Sequence, residues 1–200
     1  MMQEKIKLFF GTANAHKLEE IKQILGDEFE IKSFLDLPSV PELEETETTL
    51  DGNAILKAMN FFHVSGMPCF ADDTGLEVDA LEGAPGVYSA RYAGPGHDAS
   101  ANMDKLLNEM QGKEDRRAKF RTVIAYFDGK MLKTFEGILK GTVAHLPVGT
   151  GGFGYDPIFI PEGSERTLGQ YPPEEKAEMS HRARAMKKFV EYVKITKAGR

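Results

Sequence analysis

The 200-residue chain has one cysteine, no long apolar run and no surplus of basic residues. With Cys69 alone, neither an internal disulfide nor a metal cluster built on several cysteines is available. Cys69 falls in an apolar stretch, so buried core is the reading ahead of nucleophile. No apolar stretch approaches the roughly 20 residues that span a bilayer. The opening MMQEKIKLFF mixes acid into an apolar run too short for a signal peptide. A cytoplasmic protein with no membrane partner is therefore expected. Lys and Arg number 25 against 31 Asp and Glu, and the formal charge of −6 argues against a nucleic-acid coat. A small polyanion stays open, because it needs only a few local cations. The mixed run Lys113-Glu114-Asp115-Arg116-Arg117 reads as a solvated loop. Also missing are the G-x-x-x-x-G-K-[ST] spacing of a Walker A loop and the D-x-D-x-[TV] pattern of phosphatases that form an aspartyl phosphate.

What is present centres on Cys69 to Gly94. Cys69-Phe70-Ala71 reads as a short strand with Asp72 and Asp73 at its C-terminal end, and Thr74-Gly75 as a sharp turn. In open α/β sheets ligands bind beyond the carboxyl ends of strands. Two adjacent carboxylates repel unless a positive charge sits near them, and a hard cation such as Mg²⁺ suits oxygen ligands. An acidic turn exposed to water is the plainer reading of the same pair. Leu76 to Leu81 alternates apolar and acidic residues, as in a half-exposed strand or hairpin arm.

Elsewhere, Ile6–Phe10 reads as a strand, followed by a small-residue loop and a helix with Leu18, Ile21, Ile24 and Leu25 at helical spacing. That loop, with Asn14 and Lys17, suits a phosphate at a helix N-terminus, or is a plain turn with Asn14 as N-cap. Phe29–Phe34 is a second strand. Pro38 and Pro41 mark a loop made acidic by Glu42, Glu44, Glu45 and Glu47. It is either solvated or brings a metal ligand toward Asp73. A helix over 51–65 puts Ala54, Ile55, Ala58, Met59 and Phe62 on one face, with Asn53 and Lys57 off that stripe and facing solvent by default. Gly83 to Gly94 is a rigid loop, and Asp98 caps a helix reaching Met110. Phe120–Phe127 and Met131–Val143 form a hairpin about Asp128-Gly129. In the glycine-rich stretch Gly149 to Pro157, Phe153 and Tyr155 can stack on a flat base while Asp156 accepts from ring N–H groups, or the loop packs on itself. Ile158–Ile160 is a short strand, and Pro172-Pro173 opens a short helix. Ser180 caps the last helix, with His181 and Arg182 in its first turn, where cations are unfavourable unless an anion is near.

Six segments, in order along the chain, resemble the inosine triphosphate pyrophosphatase family: Thr12 to Lys17, Asn53 to Ala58, Ala71 to Leu76, Gly83 to Tyr92, Gly151 to Pro157 and Ser180-His181-Arg182. The resemblance implies an α/β fold, a long twisted mixed sheet flanked by helices in two lobes with a central cleft, within a single domain over 1–200. It implies hydrolysis of ITP, dITP and XTP to monophosphate and pyrophosphate with Mg²⁺, by a homodimer. Carried onto this sequence, Thr12, Ala13, Asn14, Ala15, His16 and Lys17 grip the phosphates. Asp73 is general base, metal ligand or both, helped by Asp72 and Glu44, with Glu45 as alternate. Thr74 contacts the nucleotide beside the metal. Lys57 and Lys176 neutralise phosphate charge. Phe153, Gly154, Tyr155, Asp156, His181 and Arg182 read the base. The acidic loop departs from the family in having Glu47 where a glycine is common, which leaves Glu44 and Glu45 both open as the metal ligand. A pyrimidine triphosphate pyrophosphatase of related fold and a non-catalytic purine nucleotide sensor are the rival readings.

Overall fold

The computed structural model describes residues 5–12, 14–36 and 43–198, without the side chains of Leu35, Lys197 and Ala198. Pro38, Pro41, Glu42 and Ala13, named above, lie outside the described residues. Among the described residues six strands form one sheet in the order β2-β1-β3-β4-β5-β6. They are β1 (Ile6–Phe10), β2 (Phe29–Ser33), β3 (Cys69–Val78), β4 (Arg117–Phe127), β5 (Leu132–Val143) and β6 (Phe159–Pro161). The helices are α1 (Ala15–Leu25), α2 (Leu50–Ser65), α3 (Ala99–Glu109), α4 (Pro173–Met179) and α5 (His181–Ala198). Strand β1 pairs in parallel with both β2 and β3, whereas β5 and β6 are antiparallel, so the sheet is mixed as expected.

The chain divides into two compact units. The first comprises 1–73, 123–137 and 183–200. Its core joins Leu8 and Phe10 of β1, Leu18, Ile21 and Leu25 of α1, Phe70 of β3, and Met186, Phe189 and Val193 of α5. The helical spacing read from α1 therefore marks a real buried face. A smaller cluster joins Phe9, Phe34, Phe61 and Cys69, and burial pushes the Cys69 thiol far up, as befits a core residue. The second unit comprises 74–122 and 138–182, with a core of Leu76 and Val78, Leu106 and Met110, Phe120, Leu139, Tyr155, Phe159 and Leu168.

Three local expectations change. First, there is no turn at Thr74-Gly75: β3 runs unbroken from Cys69 to Val78, and Leu76 and Val78 are buried along it. Asp72 and Asp73 are thus mid-strand. Gly75 serves close approach, because a Cβ there would collide with the Gly86 carbonyl oxygen. Second, the buried face of α2 is Leu50, Asn53, Ala54, Lys57, Ala58 and Phe61, while Met59 is exposed. Asn53 and Lys57 do not face solvent, because each has a buried carboxylate to meet. Third, β2 stops at Ser33, and Phe34 begins a short 3₁₀ turn whose Asp36 carboxylate takes the Ser33 N–H at 2.7 Å. The hairpin holds, with Asp128 to Met131 between its strands and the Asp128 carboxylate accepting from the N–H groups of Lys130 and Met131.

Candidate active site

The first unit gathers most of the phosphate and metal candidates. Successive side chains on a strand point to opposite faces, so adjacent Asp72 and Asp73 meet different lysines. Lys17, in the first turn of α1, reaches both oxygens of Asp72 at 3.1 and 3.0 Å. Lys57 of α2 donates to Asp73 at 2.9 Å and to Glu45 at 2.6 Å. Asn53, one turn earlier on α2, donates from Nδ2 to the other Asp73 oxygen at 3.3 Å, and its Oδ1 accepts the Glu47 N–H at 3.0 Å. Asn53 therefore ties the acidic segment to Asp73. This places Glu45 beside Lys57, while Glu44 is exposed. In the loop before α1, Asn14 is the N-cap, accepting from the N–H groups of His16 and Lys17 at 3.0 and 3.2 Å. The buried Thr12 hydroxyl accepts from Asn14 N–H at 3.1 Å, and Ala15 and His16 are exposed.

The charges in this cluster shift one another. Burial pushes the Asp73 carboxyl above its ordinary value of 3.8, and the Lys57 ammonium beside it offsets only part of that. Burial works to lower Lys57, but the carboxylates of Asp73, Glu45 and Asp72 outweigh it and hold the ammonium above 10.5. A carboxylate made more basic by its surroundings suits proton abstraction near neutral pH. Among the described residues no three His, Cys, Asp or Glu side chains stand together as a ready metal cage. The carboxylates of Asp73 and Glu45, which share the Lys57 ammonium, nonetheless fit Mg²⁺, which takes one or two carboxylates and completes its shell with water and phosphate oxygens.

The second unit gathers the base-reading candidates. The Asp156 carboxylate accepts the Phe153 N–H at 2.7 Å and the Lys176 ammonium at 2.8 Å. Gly152 leaves room for it, since a Cβ there would strike that carboxylate. Lys176 lies 4.6 Å from the centroid of the half-buried Phe153 ring, and the Arg182 guanidinium lies 5.6 Å from it. Arg182 is the largest fully buried side chain, at 1% exposure, and one Nη stands 3.4 Å from the Thr74 hydroxyl. His181 stacks on Phe120 at 4.8 Å, with Nδ1 2.6 Å from the Thr122 hydroxyl. Thr122 is in turn 2.7 Å from the Thr74 hydroxyl. Tyr155 stands apart: its ring is core, and its hydroxyl donates to the Ser89 carbonyl at 2.8 Å. Gly154 has a positive φ of 63°.

Thr122 went unread in the sequence. Its signal was there, in a hydroxyl on the same strand face as Phe120, Ile124 and Tyr126, and it is wholly buried. Asn53 was noticed but assigned to solvent.

The family model described as "Ham1 family" matches residues 8–192. A dITP/XTP pyrophosphatase of Porphyromonas gingivalis is 47% identical over 192 residues, 96% of this chain and 99% of that protein. One from Flavobacterium psychrophilum is 44% identical over 189 residues, 94% of this chain and all of that protein. The solved structure of the Staphylococcus aureus Ham1 protein superposes with a TM-score of 0.86 at 36% identity, covering 94% of this chain and 98% of that one. The resemblance to the inosine triphosphate pyrophosphatases read from the motifs is borne out, and the chain belongs to the Ham1 family.

Proposed function

We propose that this protein is a nucleoside triphosphate pyrophosphatase acting on deaminated purine nucleotides, ITP, dITP and XTP, adding water across the anhydride to release monophosphate and pyrophosphate. The observation that carries the reading is the buried group of Asp73, Lys57 and Asn53, with Lys17 on Asp72 beside it. Catalysis of phosphoryl transfer is largely positioning and charge neutralisation, and this group supplies a base and two cations. Asp73 holds the attacking water and takes its proton. Lys57 and Lys17, now paired with carboxylates, neutralise charge on the phosphate chain. Thr12 and the loop to Lys17 bind phosphate oxygens through hydroxyl and backbone donors. Asp73, with Glu45 better placed than Glu44, would hold Mg²⁺, which when bound neutralises charge on the phosphate oxygens, while Asp72, on the other strand face, holds Lys17.

Phe153 stacks on the base, and Lys176, His181 and Arg182 offer donors to its keto oxygens. Adenine carries an amino group where hypoxanthine and xanthine carry the 6-keto oxygen, so a buried donor is left unpaired and adenine is rejected. Asp156 serves by holding Lys176 and the Phe153 backbone, and Tyr155 by packing beneath that loop. No described helix is long and apolar enough to cross a membrane. The family resemblance also supports a cytoplasmic homodimer, which sedimentation equilibrium of the purified chain tests.

Pyrophosphate release from ITP, XTP, dITP, GTP, ATP and dTTP with Mg²⁺, for wild type and Asp73→Asn, tests the reading. Cleavage of ITP and XTP that needs Mg²⁺ and is lost in the variant is expected. Equal cleavage of ATP and GTP refutes the base assignment, dTTP preference favours the pyrimidine enzyme, and saturable ITP binding without turnover makes the protein a sensor.

A further inference from the structure

Within the second unit, the segment from Gly83 to Ser89 runs back along strand β3. The Val78 N–H donates to the Ala84 carbonyl at 3.1 Å, the Gly83 N–H to the Val78 carbonyl at 3.0 Å, and Glu77 bridges Pro85. The Leu76 N–H turns to a side chain instead, donating to the Ser89 Oγ at 2.9 Å. The same Oγ gives its own proton to the Gly86 carbonyl at 2.6 Å. That carbonyl comes so near β3 because Gly75 has no Cβ to block it. Ser89 is 7% exposed and Leu76 wholly buried, so this hydroxyl satisfies a strand N–H that water does not reach.

The Ser89 carbonyl accepts the Tyr155 hydroxyl at 2.8 Å. Burial pushes the Tyr155 phenol above its ordinary value of 10, so it stays a donor throughout the neutral range. Tyr155 lies inside the turn that carries the base-reading candidates. The Phe153 N–H donates to the Asp156 carboxylate at 2.7 Å, and the Asp156 N–H to the Phe153 carbonyl at 3.3 Å, which close that turn. Gly152 and Gly154 flank Phe153, with φ of 72° and 63°. Glycine loses the most conformational freedom on ordering, so a turn with glycine on both sides of Phe153 depends on its anchors. Tyr155 is an anchor set within the turn itself.

We propose that Ser89 and Tyr155 are positioning residues that fasten the base-reading turn to strand β3, holding the Phe153 ring and the Asp156 carboxylate in place before a nucleotide arrives. The substrate part rests on the function proposed above. Ser89 fixes its own carbonyl by clasping the Leu76 N–H and the Gly86 carbonyl, and that carbonyl then fixes Tyr155. A turn already ordered binds its ligand without an ordering cost. The link therefore acts on how tightly a purine is held and on which purine is preferred. Asp73 and Lys57 belong to the other unit, so the link does not touch the attack on the anhydride.

The test has two readouts on the full-length protein. The first is amide hydrogen exchange without nucleotide. In Tyr155→Phe, which removes one hydroxyl and keeps the ring, the Phe153 N–H is expected to exchange about tenfold faster, the scale of one lost hydrogen bond. The buried Leu106 N–H of α3 should keep its wild-type rate, showing that the unit stays folded. The second is kinetics: KM for ITP is expected to rise about tenfold with kcat falling less than about twofold, so the ITP over ATP ratio of kcat/KM drops. Ser89→Ala should repeat both changes, and the double variant should be no worse than the worse single, because both act through one link. Wild-type exchange at Phe153 in Tyr155→Phe overturns the proposal, as does an unchanged KM for ITP, a double variant whose effects multiply, or a loss of kcat for every triphosphate with KM kept. A wild type that cleaves no triphosphate sinks the function reading alone, because the exchange rates still decide whether the link holds the turn.

Discussion

Replacing Lys57 by Met tests the electrostatics of the buried cluster most directly. Lys57 holds Asp73 at 2.9 Å, and the two side chains are 11% and 9% exposed. Removing the ammonium leaves the Asp73 carboxylate with the Asn53 amide, at 3.3 Å, and the charge of Lys17. Breaking a buried pair on one side typically costs about 3–5 kcal/mol. Protonation of Asp73 sets a ceiling on that cost. For a carboxyl with an ordinary value of 3.8, taking up the proton costs about 1.4 kcal/mol per pH unit above it, or about 4 kcal/mol at pH 7 and under about 2 kcal/mol at pH 5. The sign follows from proton counting. In the variant the native state keeps a proton that the unfolded state has released, so stability falls as pH rises above 3.8. Urea unfolding in the absence of Mg²⁺ should therefore show Lys57→Met about 3–4 kcal/mol less stable than wild type at pH 7, and less than about 2 at pH 5. Lys57→Met/Asp73→Asn should recover most of the loss at pH 7, since a neutral amide replaces the stranded charge. A single-variant cost below about 1 kcal/mol at pH 7, or a double variant no better than the single, would refute the reasoning.

Other expectations follow from single contacts. Gly75→Ala should lower stability by about 1–3 kcal/mol through overpacking against the Gly86 carbonyl, read from the urea midpoint. An unchanged midpoint would mean the two segments separate freely. Phe153→Ala should raise KM for ITP by roughly 10-fold or more, as a lost base stack costs about 1–3 kcal/mol, and an unchanged KM would take Phe153 out of the base site. Lys17→Ala should lower kcat/KM for every triphosphate by a similar factor, because it acts on phosphate and not on base. A loss confined to ITP would place Lys17 elsewhere.

The sequence by itself determined the elements whose signals are local. Helical spacing in α1 named a buried face that the core contains, Asn14 and Asp98 cap the helices they precede, and Asp128-Gly129 makes its hairpin. The ordered motifs also placed the chain in its family. Only the tertiary structure decided where polar groups on those elements turn. Hydrophobic periodicity assigns a lysine and an asparagine to solvent by default, and it has no way to register that Asp73 waits beneath α2. The burial of Asn53 and Lys57 is therefore a long-range fact, made by one residue, Asp73, 20 and 16 positions away. The same holds for Gly75, read as a turn because glycine permits one, when its role is to admit the Gly86 backbone. In the sequence, Thr122 is one hydroxyl in an apolar strand. Its contacts with Thr74 and His181, 48 and 59 residues away in sequence, exist only in the folded chain.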